Sequence, residues 1–245
     1  MEEKFKLNGI DIYVDENHRF GTDAVLLADF AAPLPNMTVC DLCTGCGIIP
    51  LFFCQSHRGR PPKKVYGVEL QADAVELFKK SAKENGLENI LTPLQCDLTD
   101  LKALGELISR ESLDMVTVNP PYYKENSGKE RLTEQQRLAR HEIACDLKSV
   151  IEAADFLLKY GGTVKMCHLP ERLGEICHLM TEKNIQPKKL TLVYNKQGEK
   201  PWLILISGKK GANAGLDITK PLIMRKDNNE YTDELLKIYG MDKEE

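Results

Sequence analysis

VCDLCTGCGIIP, residues 39–50, is the stretch of this sequence that decides the fold. Residues 37–42 have the length and apolar character of a buried strand, and residues 48–55 those of a helix. The two glycines between them, Gly45 and Gly47, let the backbone approach a ligand that any Cβ would push away. A strand, a glycine-rich turn and a helix in this order mark the place where an open α/β sheet binds a nucleotide-like ligand.

Strand-like runs alternate with helix-like runs along the rest of the chain, which is the pattern of a mostly parallel sheet with helices on both faces. We therefore predict a Rossmann-like α/β fold with a seven-stranded, mostly parallel sheet. KQGEKP, residues 196–201, has the composition of a hairpin turn, so the last strand is expected to be antiparallel. The predicted strands are residues 37–42, 64–70, 90–97, 113–119, 162–168, 188–194 and 202–208, and the predicted helices are residues 48–55, 72–85, 101–109, 147–160 and 171–183.

Further signals place the ends of helices and the two termini of the chain. The sequence GTDAVLLADFA predicts a helix that is capped by Thr22 or Asp23. Gly86 and Gly161 are predicted helix stops, and residues 221–235 predict a short strand or extended arm, a turn and a final helix. We treat residues 1–245 as one domain, with an N-terminal cap segment at 1–36, a core at 37–210 and a C-terminal tail at 211–245.

Composition excludes several classes of protein. The chain has 245 residues, of which 42% are hydrophobic and 29% charged, as in ordinary soluble globular proteins. No apolar run reaches the roughly 18 residues that a membrane helix needs, and the N-terminus lacks a secretory pattern, so a cytoplasmic protein is expected. The eight cysteines are then reduced thiols. A net charge of −4 means that a polyanionic partner would need a local basic surface.

Acidic residues end the next two predicted strands. Glu69 lies about 20 residues beyond the glycine turn, where a carboxylate can accept both hydroxyls of a ribose. Asp97 is placed to accept from the exocyclic amine of an adenine. Pro50 stands where a dinucleotide fingerprint would have its third glycine, which argues against NAD. The sequence thus predicts a ribose-bearing ligand, although each motif taken alone is compatible with a plain tight loop or a solvated carboxylate.

The motifs together resemble those of a known enzyme class. D-x-x-T-G-x-G at 41–47, Glu69, Asp97 and NPPY at 119–122 are similar to the motif series of class I S-adenosylmethionine-dependent methyltransferases that act on amino groups. With RFGTDAVLLADF and RLARHE added, the chain resembles the bacterial tRNA adenine-N6 methyltransferase family, which modifies the adenosine beside the anticodon of valine tRNA. The resemblance implies S-adenosylmethionine as cofactor and tRNA as partner.

The same resemblance implies roles for individual residues. Thr22 and Asp23 would help to close the cofactor pocket, and Asp41 and Gly45 would line the methionine part. The ribose would be held by Glu69, and the adenine would be bound by Asp97. The complete expected cofactor set is Thr22, Asp23, Asp41, Cys43, Gly45, Gly47, Glu69, Leu70, Asp97, Leu98 and Asn119.

NPPY has a chemical reason to end a strand. The exocyclic nitrogen of adenine is a poor nucleophile because its lone pair is delocalised into the ring. The side-chain oxygen of Asn119 and the carbonyl of Pro120 can accept its two N–H bonds and favour the developing positive charge. Pro120 and Pro121 fix the local backbone, and Tyr122 offers a face for stacking. We therefore expect these four residues to be catalytic, with no histidine base, because the methylated product loses its proton readily.

The substrate is less determined, because NPPY is shared by enzymes that methylate adenine in DNA, adenine in RNA and the glutamine amide of release factors. Only about 35 residues precede the first predicted sheet strand, too few for the N-terminal helical domain of the glutamine enzymes. Residues 183–210 carry a local charge of +6, which favours RNA, although a lysine run is often only a solvated face. A non-catalytic RNA scaffold stays open as an alternative. The expected RNA contacts are Tyr123, Lys124, Arg137, Arg140, His141, Lys196 and Lys200.

Cys40, Cys43 and Cys46 form a C-x-x-C-x-x-C pattern that resembles part of an iron–sulfur or zinc site. Cys40 falls inside a predicted strand and the other two fall in the ligand turn, so their sulfurs are not expected to converge. We predict no metal, and the sequence leaves the oligomeric state open.

Overall fold

A computed structural model describes residues 2–55, 59–121 and 146–241. Its strands are β1 (Glu3–Leu7), β2 (Ile10–Val14), β3 (Thr38–Leu42), β4 (Lys64–Glu69), β5 (Leu91–Gln95), β6 (Leu113–Val118), β7 (Leu158–His168), β8 (Ile185–Tyr194), β9 (Leu203–Lys210), β10 (Asp217–Ile218) and β11 (Leu222–Ile223). Its helices are α1 (Thr22–Ala31), α2 (Ile48–Phe53), α3 (Ala72–Glu84), α4 (Leu101–Leu107), α5 (Leu147–Leu157), α6 (Leu173–Glu182) and α7 (Asp233–Ile238), with a 3₁₀ turn at Pro170–Arg172.

The main sheet confirms the predicted Rossmann-like α/β fold. Its strands lie in the order β10-β8-β9-β7-β6-β3-β4-β5, and β11 also pairs with β8. The strands pair in parallel except on the two sides of β9, which is antiparallel to both β7 and β8. The predicted antiparallel last strand is therefore confirmed, and the seven predicted strands correspond to β3–β9. Two features were not predicted, namely the separate β1–β2 hairpin and the two-residue strand β10.

Helices cover both faces of the sheet. Successive residues of each central strand point to opposite faces, so both sets of side chains are buried. In β3, Val39 belongs to the core on the face covered by α1, α2 and α3, whereas Cys40 belongs to the core on the face covered by α4, α5 and α6. Phe52 and Phe78 are fully buried in the first of these cores. Burial of each such ring contributes about 1.5–3 kcal/mol to folding.

The end of α3 follows the prediction. Asn85 caps the helix, and Gly86 follows it with φ of +65°. The N–H of Gly86 donates to Lys83 O at 3.0 Å and that of Leu87 donates to Ala82 O at 2.8 Å. This pair of bonds is a Schellman motif, so the predicted helix stop at Gly86 is confirmed.

The predicted helix stop at Gly161 is wrong. Helix α5 ends at Leu157, and β7 begins at the next residue, Leu158. Gly161 lies inside β7 with φ of +80°, where the pairing of β6 with β7 shifts register between Leu113 and Met115. The left-handed conformation of this glycine allows the strand to bulge.

The predicted cap of α1 is also wrong. Gly21 occupies the N-cap position, and no side chain of the described residues caps this helix. Thr22 and Asp23 lie in the first turn instead. The Thr22 hydroxyl accepts a hydrogen bond from Tyr239 Oη at 3.1 Å, and the Asp23 carboxylate accepts one from Asn119. Both side chains are thus used in tertiary contacts rather than on the helix end.

The β1–β2 hairpin and helix α7 both pack against the core of the main sheet. Ile12 of the hairpin and Leu235 of α7 belong to the same buried cluster as α1 and α2. The hairpin is fixed to α3 by Tyr13 N–H, which donates to Ser81 Oγ at 2.9 Å, and by Asp11 N–H, which donates to Asn85 Oδ1 at 2.9 Å. The predicted strand, turn and helix near the C-terminus are confirmed as β11, an isolated bridge and α7.

Candidate active site

The predicted site residues meet at one edge of the sheet. We call it the carboxyl edge because the carboxyl ends of strands β3 to β8 lie there, whereas the antiparallel β9 begins there. Strand β3 lies between β4 and β6. The chain places β4 and β5 on one side of β3 and then crosses back to place β6 on its other side, so the order of the strands reverses at β3. Such a reversal opens a crevice in which α/β proteins bind ligands. The glycine turn follows β3 directly, and Asn119 follows β6.

The two glycines of the turn have different reasons to be glycine. Both have positive φ, +56° at Gly45 and +82° at Gly47. A Cβ on Gly45 would have no described atom within 4 Å, so this position is open for a ligand. A Cβ on Gly47 would overlap the ring of Phe78. Gly47 therefore has a structural reason that was not predicted, because it makes room for a core side chain, and its contact with the cofactor stays a prediction.

Glu69 ties the glycine turn to the end of β4. It is only 7% exposed. Its Oε2 accepts from Gly45 N–H at 2.9 Å, and its Oε1 accepts from the N–H groups of Leu70 and Gln71 at 2.9 and 3.0 Å. A carboxylate has about four acceptor positions, so these three bonds leave one, on Oε2. One hydroxyl of a ribose could therefore donate to Oε2. A second hydroxyl could donate to the carboxylate only if one of the three backbone N–H groups gave up its hydrogen bond to Glu69.

Asp41 is a fully buried carboxyl group beneath the turn. Its Oδ1 accepts from Thr117 Oγ1 at 2.5 Å. Burial raises the pKa of Asp41 from 3.8 to about 7, the hydrogen bond from Thr117 partly opposes this, and the charge of Glu69 adds to it. A cation bound close to Asp41 would favour the ionised form.

The end of β5 supplies the third predicted acid. Asp97 is exposed, and its Oδ1 accepts from the N–H and the hydroxyl of Thr99 at 2.9 and 2.7 Å. Among the described residues, none donates to its Oδ2, which therefore suits an exocyclic amine. Leu70 is 37% exposed beside this edge, whereas Leu98 is buried. An exposed Leu70 offers an apolar surface on which a base can lie.

Asn119 is held between two residues that are distant in sequence. Its Nδ2 donates to Asp23 Oδ2 at 3.2 Å, and its Oδ1 accepts from Cys167 Sγ at 3.0 Å. A carboxylate only accepts hydrogen bonds, so the atom that faces Asp23 must be the amide nitrogen. The orientation of the amide is thereby fixed, with Oδ1 directed away from α1. Pro120 is buried and Pro121 is exposed.

The contact of Cys167 with Asn119 was not predicted from the sequence. The position of Cys167 at the end of a predicted strand neighbouring the NPPY strand is the one sequence signal that could have indicated it. The next residue, His168, is 2% exposed and its Nδ1 accepts from Leu169 N–H at 2.8 Å. Burial and then the charge of Arg172 lower the pKa of His168 from 6.5 to about 4, so this ring is neutral at physiological pH.

Most of the expected substrate contacts lie outside the described residues. These are Tyr122, Tyr123, Lys124, Arg137, Arg140 and His141. Lys196 and Lys200 are described, and they lie in the β8–β9 turn at the carboxyl edge.

The single lysine patch implied by the local charge of +6 is wrong. Lys183 and Lys196 flank opposite ends of β8. This strand has ten residues and is therefore about 33 Å long. In addition, Lys183 pairs with Glu152 and Lys210 with Asp155, each at 2.9 Å. Residues close in sequence but at the two ends of one strand lie at opposite edges of the sheet, so a charge summed along the chain does not describe one surface.

The three cysteines of the C-x-x-C-x-x-C pattern do not all lie on one side of the sheet. Cys40 and Cys43 pack in or against the core on one face, and Cys46 packs in the core on the other. Throughout the described ranges, no group of three or more His, Cys, Asp or Glu side chains could hold a metal ion.

In the same ranges, no helix combines the length and apolar composition needed to cross a membrane.

With this geometry in hand, comparison with known proteins places the chain in a class. A family described as a methyltransferase domain matches residues 33–207, and the chain belongs to this family. A relative from Flavobacterium johnsoniae, named tRNA1(Val) (adenine(37)-N6)-methyltransferase, is 27% identical over 225 residues, which cover 90% of each chain.

Solved structures agree on the fold. A predicted O-methyltransferase from Agrobacterium tumefaciens has a TM-score of 0.70 at 21% identity, covering 90% of this chain and 97% of its own. M. jannaschii TYW2 in complex with AdoMet has a TM-score of 0.54 at 15% identity, covering 85% of each chain.

Proposed function

We propose that this protein is an S-adenosylmethionine-dependent methyltransferase that acts on the exocyclic N6 of adenosine in tRNA, at the position beside the anticodon of valine tRNA. The observation that carries the proposal is the fixed amide of Asn119, whose Oδ1 orientation is imposed by Asp23 at the crevice of a methyltransferase fold. The name of the Flavobacterium johnsoniae relative supports the choice of substrate.

The residues at the crevice fit S-adenosylmethionine. Gly45 leaves open space above the turn, and Glu69 Oε2 has one acceptor position for a ribose hydroxyl. Asp97 Oδ2 can accept from the adenine amine, with Leu70 beside it. Asp41 adds a buried carboxyl group near a cationic ligand. When bound, the cofactor supplies an electrophilic methyl group.

On the target side, Asn119 Oδ1 and the carbonyl oxygen of Pro120 accept the two N–H bonds of the target amine. These contacts strengthen as positive charge develops on the nitrogen, so they stabilise the transition state more than the bound substrate. Oδ1 can accept from the amine and from Cys167 together, because an amide oxygen has two lone pairs. The proton that leaves after transfer passes to solvent, and His168, neutral and already bonded through Nδ1, has no part in it.

The RNA is held by positive charge near the carboxyl edge. Lys196 and Lys200 supply part of it, Lys124, Arg137 and Arg140 are proposed to supply the rest, and Tyr123 and His141 are proposed to make further contacts with the RNA. Tyr122 would stack on the target base. Phosphate contacts of this kind are weakened by salt, so tRNA binding should fall as ionic strength rises.

The substrate is tested with labelled cofactor and three acceptors. These are unmodified valine tRNA, the same tRNA with guanosine in place of the adenosine beside the anticodon, and a release factor. We expect label in the first acceptor alone, recovered as N6-methyladenosine by nucleoside mass spectrometry. Label in the release factor would support glutamine-amide methylation instead.

The role of Asn119 is tested with Asn119→Ala, which should lower the rate of methyl transfer about 100- to 1,000-fold, as loss of one transition-state contact does. Binding of tRNA should be retained, which separates this result from misfolding. Asn213→Ala, an exposed asparagine elsewhere on the surface, is the matched control. Unchanged turnover in Asn119→Ala would leave the amide without a catalytic role.

A further inference from the structure

A second cavity lies away from the carboxyl edge. It has a volume of about 740 Å³ and is bounded by the end of α1, strands β7–β9 and the C-terminal tail. Phe30 of its wall is seven residues along α1 from Asp23, or about 10 Å along the helix axis. We call it the lysine cavity, and its charged lining residues are Asp29, Lys165, Lys189, Lys220, Glu234 and Lys237.

Positive charge exceeds negative charge in the lysine cavity, although the whole chain carries −4. Four lysines line it against two carboxylates. Glu234, Lys189, Lys220 and Lys237 are exposed, so their side chains can turn towards a ligand. A concave surface with an excess of one charge concentrates ions of the opposite charge.

Lys165 lies at the floor of the cavity. Its Nζ donates to the carbonyl oxygens of Phe30 and Ala31 at 3.0 and 2.9 Å, so its direction is fixed by the end of α1. Burial and then the charge of Lys189 lower the pKa of Lys165 from 10.5 to about 8. Main-chain carbonyls offer only partial negative charge, so an anion would relieve the repulsion between these two lysines.

The ring of Phe30 lies near both ammonium groups. Lys165 Nζ lies 5.2 Å and Lys189 Nζ 6.0 Å from the centre of its ring. Thr191 and Thr219 add hydroxyl groups to the wall, hydrogen-bonded to each other at 2.6 Å. One of these hydroxyls donates to the other, so at most one hydroxyl proton remains, beside the ammonium groups, to donate to phosphate oxygens.

We propose that the lysine cavity binds the phosphate group of an anionic ligand of nucleotide size. The volume lies within the range of small-molecule sites and exceeds what a phosphate alone requires. Two sources share this chemistry, a free nucleotide and a phosphodiester of bound RNA. The second source rests on the proposed function, whereas the first does not.

Binding is tested with inorganic pyrophosphate as the probe, titrated into the full chain by isothermal calorimetry. Lys189→Glu and Lys237→Glu change exposed residues and should each weaken pyrophosphate binding by about tenfold or more, because charge reversal replaces attraction with repulsion. Lys102→Glu, an exposed lysine on α4 across the sheet, is the matched control and should bind as wild type does. Absence of pyrophosphate binding, or equal binding in all four proteins, would overturn the proposal.

The source is identified by competition. If tRNA displaces pyrophosphate and Lys189→Glu weakens tRNA binding, the cavity holds an RNA phosphate. If ATP displaces pyrophosphate and tRNA does not, the ligand is a free nucleotide. Both results support an anion site, and neither depends on methyl transfer, so failure of the proposed function would be seen separately in the Asn119→Ala and tRNA assays.

Discussion

Two halves of the candidate active site are built from different kinds of contact. On the cofactor side, Glu69 bonds to backbone N–H groups, Gly47 makes room for a core ring, and Gly45 and Glu69 are only 24 residues apart; the buried Asp41, which accepts from Thr117 Oγ1, is the one member of this side with a side-chain partner distant in sequence. On the target side (Asp23, Asn119 and Cys167), side chains bond to side chains 96 and 48 residues away. Changes on the cofactor side should therefore affect folding and binding together, and changes on the target side should affect rate.

The largest expected effect is on the cofactor side, in the pH dependence of stability. The folded protein holds the Asp41 proton up to about pH 7, whereas the unfolded chain releases it near pH 4. The free energy of unfolding should fall as pH rises through this interval, by about 2–3 kcal/mol between roughly pH 5 and pH 8. Asp41→Asn cannot ionise and should lose that slope.

Urea unfolding of both proteins at the two pH values measures the difference. Asp227→Asn, at an exposed position, controls for removal of an aspartate and should keep the wild-type slope. Equal slopes in wild type and Asp41→Asn would mean that Asp41 is ionised in the folded protein throughout this range.

The cofactor side was also the half that sequence could predict. A glycine turn followed by acids at successive strand ends is local in sequence, and an apolar run such as residues 37–42 indicates a buried strand directly. The hairpin β1–β2 was missed although its signal is local, because polar and apolar residues alternate in KFKLNGIDIYV and Asn8-Gly9, both with positive φ, form the two-residue turn. The Asp23–Asn119 and Cys167–Asn119 contacts were missed because they depend on how α1 and β7 pack against β6, which no local pattern records.

The second-largest expected effect is on stability, and it distinguishes Gly47 from Gly45. Gly47→Ala should destabilise the fold by about 2 kcal/mol, because its Cβ overlaps Phe78 and its φ is positive. Gly45→Ala has free space and should cost only about 1 kcal/mol, while it weakens binding of S-adenosylhomocysteine. Denaturation and calorimetry on the two variants give both quantities. Full affinity in Gly45→Ala would show that the cofactor does not approach this turn.

A smaller effect is expected at Asp23 on the target side. Asp23→Asn can present an NH₂ group to Asn119, so the Asn119 amide would no longer have one imposed orientation. We expect kcat to fall about tenfold, with less change in KM for the cofactor and little change in stability. Asp73→Asn removes the equivalent first-turn acid of α3 and controls for the helix dipole. A fall confined to KM would assign Asp23 to cofactor binding alone.

The smallest effect is expected at Cys167, because a thiol is a weak donor. Cys167→Ala removes the S–H that donates to Asn119 Oδ1, and we expect kcat to fall about two- to threefold with KM unchanged. Cys167→Ser restores a donor and should recover the lost rate, whereas a purely packing role would make the polar serine no better than alanine. Cys177→Ala, a half-buried cysteine on α6, shows what loss of a thiol alone does. If serine and alanine are equally slow, the contact with Asn119 is structural, and orientation of the amide depends on Asp23.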